Sequence, residues 1–240
     1  MRTGLSVAEA QEAILEITPV LDRQRVGLVE ALHRILAEDV DSARQLPPAD
    51  CSAMDGYAVR RADCMGASAE RPADLEVAFE VAAGHGSDHP VEAERAARIF
   101  TGAPIPPGAD AVVRQEDTQA GQGRVRIQVE PQPREHIRDA GEDLRVGDTV
   151  LRRGDRIRPA HIGTLASLGR TSVAVTQRPR VGILSGGDEL VEPDGDVAGG
   201  RIVSSNSYTL AAACSVLGAE PVYLGIARDT PEDLEAMLRA

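Results

Sequence analysis

The stretch Leu46-Pro47-Pro48-Ala49-Asp50-Cys51-Ser52-Ala53-Met54-Asp55-Gly56-Tyr57-Ala58-Val59 decides how the chain reads. Two prolines stiffen its entry, because each fixes φ and withdraws a backbone donor. The residue before each proline is held extended, so no helix is expected through this point. Small residues then lead into Asp55-Gly56, and Tyr57 and Val59 follow at strand spacing. Two readings stay open. The Asp-Gly pair can serve the turn of a hairpin, or the bend can present a carboxylate among close-packed small residues.

Outward from this stretch the pattern stays β-like. Leu75, Val77, Phe79 and Val81 alternate with polar residues, as do Val125, Ile127 and Val129, and each run reads as a half-buried strand. A β-rich unit over about residues 49–137 is therefore expected, inserted between helical segments at 1–45 and 138–178. In the first, Ser6 and Glu9 form a capping box ahead of Val7, Ala10, Ile14 and Leu15, and Pro19 ends the helix. A second helical stripe is read from Leu28, Ala31, Leu32, Ile35 and Leu36. Two such stripes need a partner surface, from later chain or a second subunit. Helical pattern returns near Pro159, with Ile162, Leu165 and Leu168 stopped by Gly169.

Beyond residue 178 the style changes again. Val181-Gly182-Ile183-Leu184 reads as a strand entering the loop Ser185-Gly186-Gly187-Asp188-Glu189. Asn206 can cap a helix through Leu217, stopped by Gly218. Pro221-Val222-Tyr223-Leu224 reads as a second strand, and Thr230-Pro231 opens another helix. Strand, helix, strand, helix begins a doubly wound α/β domain. The fold class expected is thus an α+β part over residues 1–178, followed by an incomplete α/β domain over 179–240. One or two parallel strands cannot make a covered sheet, so the chain reads as a fragment.

Composition narrows the function. A net charge of −12 argues against nucleic acid and anionic membrane surfaces, and no run approaches a membrane span. Residues 1–4 lead straight into an amphipathic segment without an apolar leader core, so cytoplasm is the expectation. All 26 basic residues are Arg, which excludes Schiff-base and P-loop lysine chemistry in this chain. Cys51, Cys64 and Cys214 form neither a disulfide framework nor a CxxC site. His85 and His89 stand four apart, but Gly84, Gly86 and Pro90 make them loop histidines rather than a zinc pair.

Four further stretches can carry chemistry. Thr101-Gly102 in the proline-rich loop after Ile99-Phe100 offers a hydroxyl beside a backbone N–H, either for an oxyanion or to satisfy the loop itself. Arg138-Asp139-Ala140-Gly141-Glu142-Asp143 bends at Gly141, and its acids either face a cleft or are a solvated turn. Ser185 to Glu189 lies at the carboxyl end of the first α/β strand, where ligands usually sit. Gly225-Ile226-Ala227-Arg228-Asp229 follows the second strand.

Ser52-Ala53-Met54-Asp55-Gly56-Tyr57-Ala58-Val59 closely resembles a signature of the molybdopterin molybdenumtransferases. Thr101-Gly102-Ala103-Pro104 with Asp110-Ala111-Val112-Val113, the Arg138 to Asp143 element, Gly187-Asp188-Glu189-Leu190 and Gly225 to Asp229 resemble the same family, in the same order. The sequence departs from the pattern at Gly186, where threonine is usual, and at Ser204, where an acid is expected. The family's later elements, a Ser-Gly-Gly stretch and a Gly-Leu-Pro-Gly-Asn-Pro loop, are not in this chain.

The resemblance implies insertion of molybdenum from molybdate into adenylylated molybdopterin, with release of AMP. It implies catalytic roles for Asp55, Thr101, Asp143, Glu189 and Asp229, with Arg138 as a helper and Ser185, Gly187 and Asn206 near the cofactor. Four carboxylates around an anionic substrate would repel it and raise one another's pKa. That argues for a hard cation, and the family agrees on Mg²⁺, placed by Glu189 and Asp229. A homodimer and contact with the molybdopterin adenylyltransferase are implied as well. Two rivals stand beside this reading: a non-catalytic scaffold of the gephyrin type, and a Mg²⁺-dependent phosphohydrolase.

Overall fold

A computed structural model describes residues 4–239 of the protein, so the reading of residues 1–3 as leaderless lies outside the described residues. In chain order, α1 (Val7–Ile17) and β1 (Arg23–Gly27) come first, then β2 (Val40–Asp41). Two short strands, β3 (Cys51–Ser52) and β4 (Gly56–Val59), flank the Asp55 bend. β5 (Ala73–Val81), β6 (Arg95–Ile99) and β7 (Ala111–Arg114) follow, then β8 (Thr118–Ala120), β9 (Arg124–Ile127) and β10 (Ile137–Arg138). Past β11 (Thr149–Leu151) lie α2 (Pro159–Ser167), β12 (Ser172–Thr176), β13 (Arg180–Gly186) and β14 (Leu190–Val191). β15 (Ile202–Val203), α3 (Ser205–Val216), β16 (Glu220–Ala227) and α4 (Pro231–Arg239) complete the order. These elements gather into two units, residues 41–150 and residues 1–40 with 151–240.

The 41–150 unit is built on a six-stranded mixed sheet in the order β7-β4-β6-β5-β9-β8. β4 runs antiparallel to both neighbours, whereas β5 and β6 are parallel. The sheet feeds two cores, with alternate residues of β4 going to each. Tyr57, Val59, Val113, Leu75, Val125 and Ile127 pack in one, and Ala58, Val112, Ala97, Ile99 and Val81 in the other. Every residue of β4 is buried, because side chains on both faces of this central strand meet apolar neighbours.

The bend at Asp55-Gly56 is not a hairpin turn, which corrects one of the two sequence readings. β3 pairs with β10, with Ser52 opposite Ile137, while β4 pairs with β6 and β7. The strands on either side of Asp55 therefore belong to different sheets. Gly56 is required for a different reason: a Cβ there would sit 2.0 Å from the Val113 carbonyl oxygen.

In the other unit, the Ser6 capping box forms as expected. Ser6 Oγ accepts from the Glu9 backbone N–H, and the Ser6 N–H donates to Glu9 Oε2 at 2.8 Å. The second stripe is not a helix. Residues 28–33 form turns, His33 takes φ 65°, and Ile35 and Leu36 make isolated bridges to Arg156 and Val175. The apolar spacing holds, since Ala31 and Leu36 are buried, but a left-handed residue cannot continue an α-helix. The segments expected to be helical also contain β1 and β12, which pair antiparallel from Arg23↔Thr176 to Gly27↔Ser172.

The α/β pattern is found where the sequence places it. β13 and β16 pair in parallel, α3 and α4 follow as helices, and Gly218 ends α3 at φ 89°. Ser204, not Asn206, occupies the cap of α3, and Asn206 lies in its first turn. Among the described residues, no helix is long and apolar enough to cross a membrane.

Candidate functional site

In the 41–150 unit the structure joins Asp55 to Thr101. Asp55 Oδ1 accepts from both the backbone N–H and the hydroxyl of Thr101, each at 2.8 Å. β3 and the start of β4 fix one side of this contact. The other side is the loop after β6, where Gly102 N–H donates to Ser52 O at 2.8 Å and Ser52 N–H donates to Ala103 O. The two donors hold the Asp55 carboxyl below its usual range, with the Arg98 charge adding a smaller effect. An exposed, firmly ionised carboxylate of this kind is a hydrogen-bond acceptor or a counter-ion, not a proton donor.

Arg98 is a residue that the sequence reading passes over. Its guanidinium donates to Gly56 O at 3.1 Å and to Gln115 Oε1 at 2.8 Å. It also lies 5.0 Å from the ring centre of Tyr57 and 5.2 Å from that of Phe100, within cation–π range. The available signal is a charge set between the small and apolar residues Ala96-Ala97 and Ile99 of β6.

Asp143 and Arg138 form a second pair, with Arg138 Nη2 2.6 Å from Asp143 Oδ1 and Nε 3.6 Å from Glu142. The hydrogen bond from Arg138 therefore already occupies Asp143. β10 sets Arg138 opposite Cys51, whose thiol burial pushes up. The Cys64 thiol is raised to about 12, chiefly by burial and then by Asp63 and Asp110, so neither is a thiolate nucleophile.

Asp50 is also anchored. Oδ1 accepts from Ala140 N–H at 2.9 Å, and Oδ2 from Arg134 at 2.7 Å, while Arg134 also contacts Asp139. The Ala140 bond, followed by Arg134, holds the Asp50 carboxyl below its usual value of 3.8. A carboxylate depressed in the folded state stabilises fully above its unfolded value and loses that contribution as pH falls through the folded value. Asp50→Asn is expected to lower the melting temperature by roughly 1–4 °C at pH 7, the scale of an exposed charged contact. The gap to the unmodified protein should close below the ordinary aspartate value of 3.8. Melting curves from pH 7 to pH 3 check this; a gap that does not change with pH would sink it.

The remaining candidates lie in the other unit. Ser185 is the penultimate residue of β13, and Gly187 N–H donates to Ala227 O at 3.2 Å, so the loops carrying Glu189 and Asp229 leave adjacent parallel strands. Gly187 has φ 147°, and a Cβ there would be 2.6 Å from Glu189 Oε2, so the Glu189 carboxylate folds over this glycine. Asp229 is exposed in the turn before α4, and Asn206 is exposed on α3. At the departing position, the buried Ser204 hydroxyl bonds Ser185 at 3.0 Å and Ser207 at 2.7 Å. Beside them, Tyr223 and Tyr208 both donate to Glu192, at 2.7 and 3.0 Å. Desolvation first, and Glu192 next, push the Tyr223 phenol up to about 12. This hydroxyl cluster was not read from the sequence, because single serines carry no spacing signal. His85 and His89 lie in a loop, as expected, and among the described residues no three His, Cys, Asp or Glu side chains gather to hold a metal.

A mixed β unit whose acidic bend is tied to a Thr-Gly loop, with a parallel α/β element downstream, defines the class of molecule. Residues 5–169 match the family model described as the MoeA N-terminal region, domains I and II, and the chain belongs to that family. It is 42% identical over 233 residues to a protein of Nostoc sp. named molybdopterin molybdenumtransferase, covering 95% of this chain and 53% of that protein. The Mycobacterium tuberculosis protein named molybdopterin molybdenumtransferase 2 is 40% identical, over 97% of this chain and 58% of its own length. A crystal structure of the molybdopterin biosynthesis moeA protein of Pyrococcus horikoshii superposes with a TM-score of 0.87 at 34% identity, covering 95% of this chain and 62% of that one. The chain thus spans just over half the length of these curated relatives.

Proposed function

We propose that the protein acts in molybdenum cofactor biosynthesis, inserting molybdenum from molybdate into adenylylated molybdopterin as AMP is released. The observation that carries this reading is the bond pair between Asp55 and Thr101. Two residues 46 positions apart, each in a stretch of the family's pattern, share one carboxylate oxygen in a rigid setting. Family membership and the relatives' names support the same conclusion.

In this reading Asp55, oriented by Thr101, accepts a hydrogen bond from the pterin or the attacking group. Arg138 restrains Asp143 for a similar positioning task. Glu189 and Asp229, at the ends of adjacent parallel strands, would hold Mg²⁺. A pair of carboxylates suits this ion, which keeps several waters and is completed by substrate phosphate, better than it suits a closed protein cage. When bound, the ion neutralises charge developing on the phosphates. Ser185 and Gly187 at the end of β13, and Asn206 in the first turn of α3, would meet the cofactor. The segment 179–240 would then be the beginning of the pterin-binding domain, after a transferase region over 1–178.

We infer a homodimer working in the cytoplasm and receiving its substrate from the molybdopterin adenylyltransferase. Support for a subunit partner comes from α1, which buries no residue and leaves Val7, Ile14 and Leu15 at 87%, 61% and 63% exposure.

The test is AMP release from adenylylated molybdopterin with and without molybdate and Mg²⁺. Release is expected only with both, from a species sedimenting at twice the chain mass. Glu189→Gln should lower Mg²⁺-dependent release by about tenfold or more, because one metal-directed charge is lost. Unchanged kinetics would remove Glu189 from the site. Hydrolysis of simple nucleotides without pterin would overturn the transferase reading in favour of a phosphohydrolase.

A further inference from the structure

A cavity of about 420 Å³ in the unit of residues 1–40 with 151–240 is lined by Arg34, Arg156, Arg178 and His33, and no acid lines it. None of the residues assigned above to the transferase site contributes to it. Its volume falls within the range of small-molecule sites. Such a lining is unusual in a chain with 38 acids and 26 arginines, where many other arginines sit beside carboxylates.

Arg34 is the informative member. It is only 8% exposed, and its guanidinium is bound to neutral groups. Nη2 donates to Thr176 O at 2.8 Å, and the Gln24 amide oxygen, turned toward it, accepts from Nη1 at 3.1 Å. Among the described residues no carboxylate pairs with Arg34, Arg156 or Arg178. The nearest charge effect on Arg34 is repulsive: after burial, Arg178 is what lowers its pKa. A buried cation costs free energy unless a counter-charge compensates it, and here the second charge has the same sign. Hydrogen bonding is satisfied and charge is not.

Thr18, Thr176 and Gln177 add neutral polar groups to the lining, and the rest of it is apolar. Val20, Leu21 and Leu217 line it and remain 76%, 37% and 84% exposed. His33, at its rim, is held at φ 65° by a bond from its N–H to Ile157 O at 2.9 Å. A non-glycine residue fixed in the left-handed region is a local cost that clusters at binding sites.

We propose that this cavity binds a small phosphomonoester with an apolar body. The dianionic phosphate would meet Arg34, Arg156 and Arg178, and the body would lie on Val20, Leu21 and Leu217. Guanidinium groups pair with phosphate through two parallel N–H donors. A dianion balances a three-arginine cluster better than a single carboxylate does. The inference stands apart from the transferase reading, because it uses different residues and a different measurement.

Phenyl phosphate is the probe, followed by calorimetry and thermal melting, with inorganic phosphate, benzoate and phenol as comparison arms. Phenyl phosphate is expected to bind with Kd below about 1 mM, ahead of phosphate and benzoate, with phenol showing no saturable heat. Arg156→Gln and Arg178→Gln, both at exposed positions, should each weaken it about tenfold, as expected when one charge-assisted contact is lost. Without ligand, Arg178→Gln should melt at or above the temperature of the unmodified protein, because one like charge near Arg34 is removed. A purely structural role for Arg178 would lower that temperature instead. Absence of saturable heat at several millimolar, equal affinity across the three proteins, or phenol binding as well as its phosphate would overturn the proposal.

Discussion

Gly56→Ala is expected to be among the most damaging single substitutions in the chain, costing about 3 kcal/mol or more. The added Cβ would lie 2.0 Å from Val113 O, 2.9 Å from Val113 C and 3.1 Å from Arg114 Cα. All three obstacles are backbone atoms of β7, so no side chain can swing aside to make room. Relief would require β4 and β7 to separate, and their register from Gly56↔Arg114 to Val59↔Ala111 ties four residue pairs together. Both faces of β4 are packed, so any shift opens gaps in two cores at once.

Gly102→Ala supplies the control. Gly102 has φ 81°, but no atom lies within 4 Å of its prospective Cβ, so only the left-handed backbone cost of about 1 kcal/mol applies. For a chain of this size the first change should lower the melting temperature by about 6–12 °C, or prevent folding, and the second by about 2–4 °C. Similar melting temperatures for the two variants would show that β7 yields more easily than its pairing indicates.

Gly56 also shows where sequence reading succeeds and where it stops. The residue type and its place before a strand were legible, yet the reason for glycine was not a turn but an approach from β7, more than 50 residues away. Alternation identified β5 and β9 because each has a regular apolar face. The Ser6 box and the Gly169 and Gly218 stops were legible because capping is local. Leu28 to Leu36 misled for a physical reason: helical spacing can also bury residues from turns and bridges, and nothing local announces that His33 turns left-handed. The candidate site divides the same way. Resemblance selected Asp55 and Thr101, which the fold joins. Arg98, the Ser185–Ser204–Ser207 hydroxyls and the Arg34 cavity depend on contacts between distant segments, and spacing does not encode those.

The second large effect concerns Asp55 and Thr101 as a unit. If the transferase reading holds, Asp55→Ala should lower kcat for AMP release by about 100-fold with little change in KM, because positioning is lost rather than uniform binding. Thr101→Val keeps its backbone N–H and loses only the hydroxyl bond to Asp55, so a loss of about tenfold is expected. The double variant is the decisive case. If the hydroxyl acts by orienting the carboxylate, it has nothing left to orient once Asp55 is gone, and the double variant should be no slower than Asp55→Ala alone. Losses that multiply to about a thousandfold would mean that Thr101 contacts substrate independently. Both side chains are exposed, so melting temperatures should stay within about 2 °C of the unmodified protein, which separates a positioning defect from a folding one. Acidity adds a further check. The Thr101 donors hold Asp55 below the usual carboxylate range, so Asp55 cannot be the source of an activity loss that begins above pH 5. Such a loss, if it persists in Asp55→Asn, must come from another group.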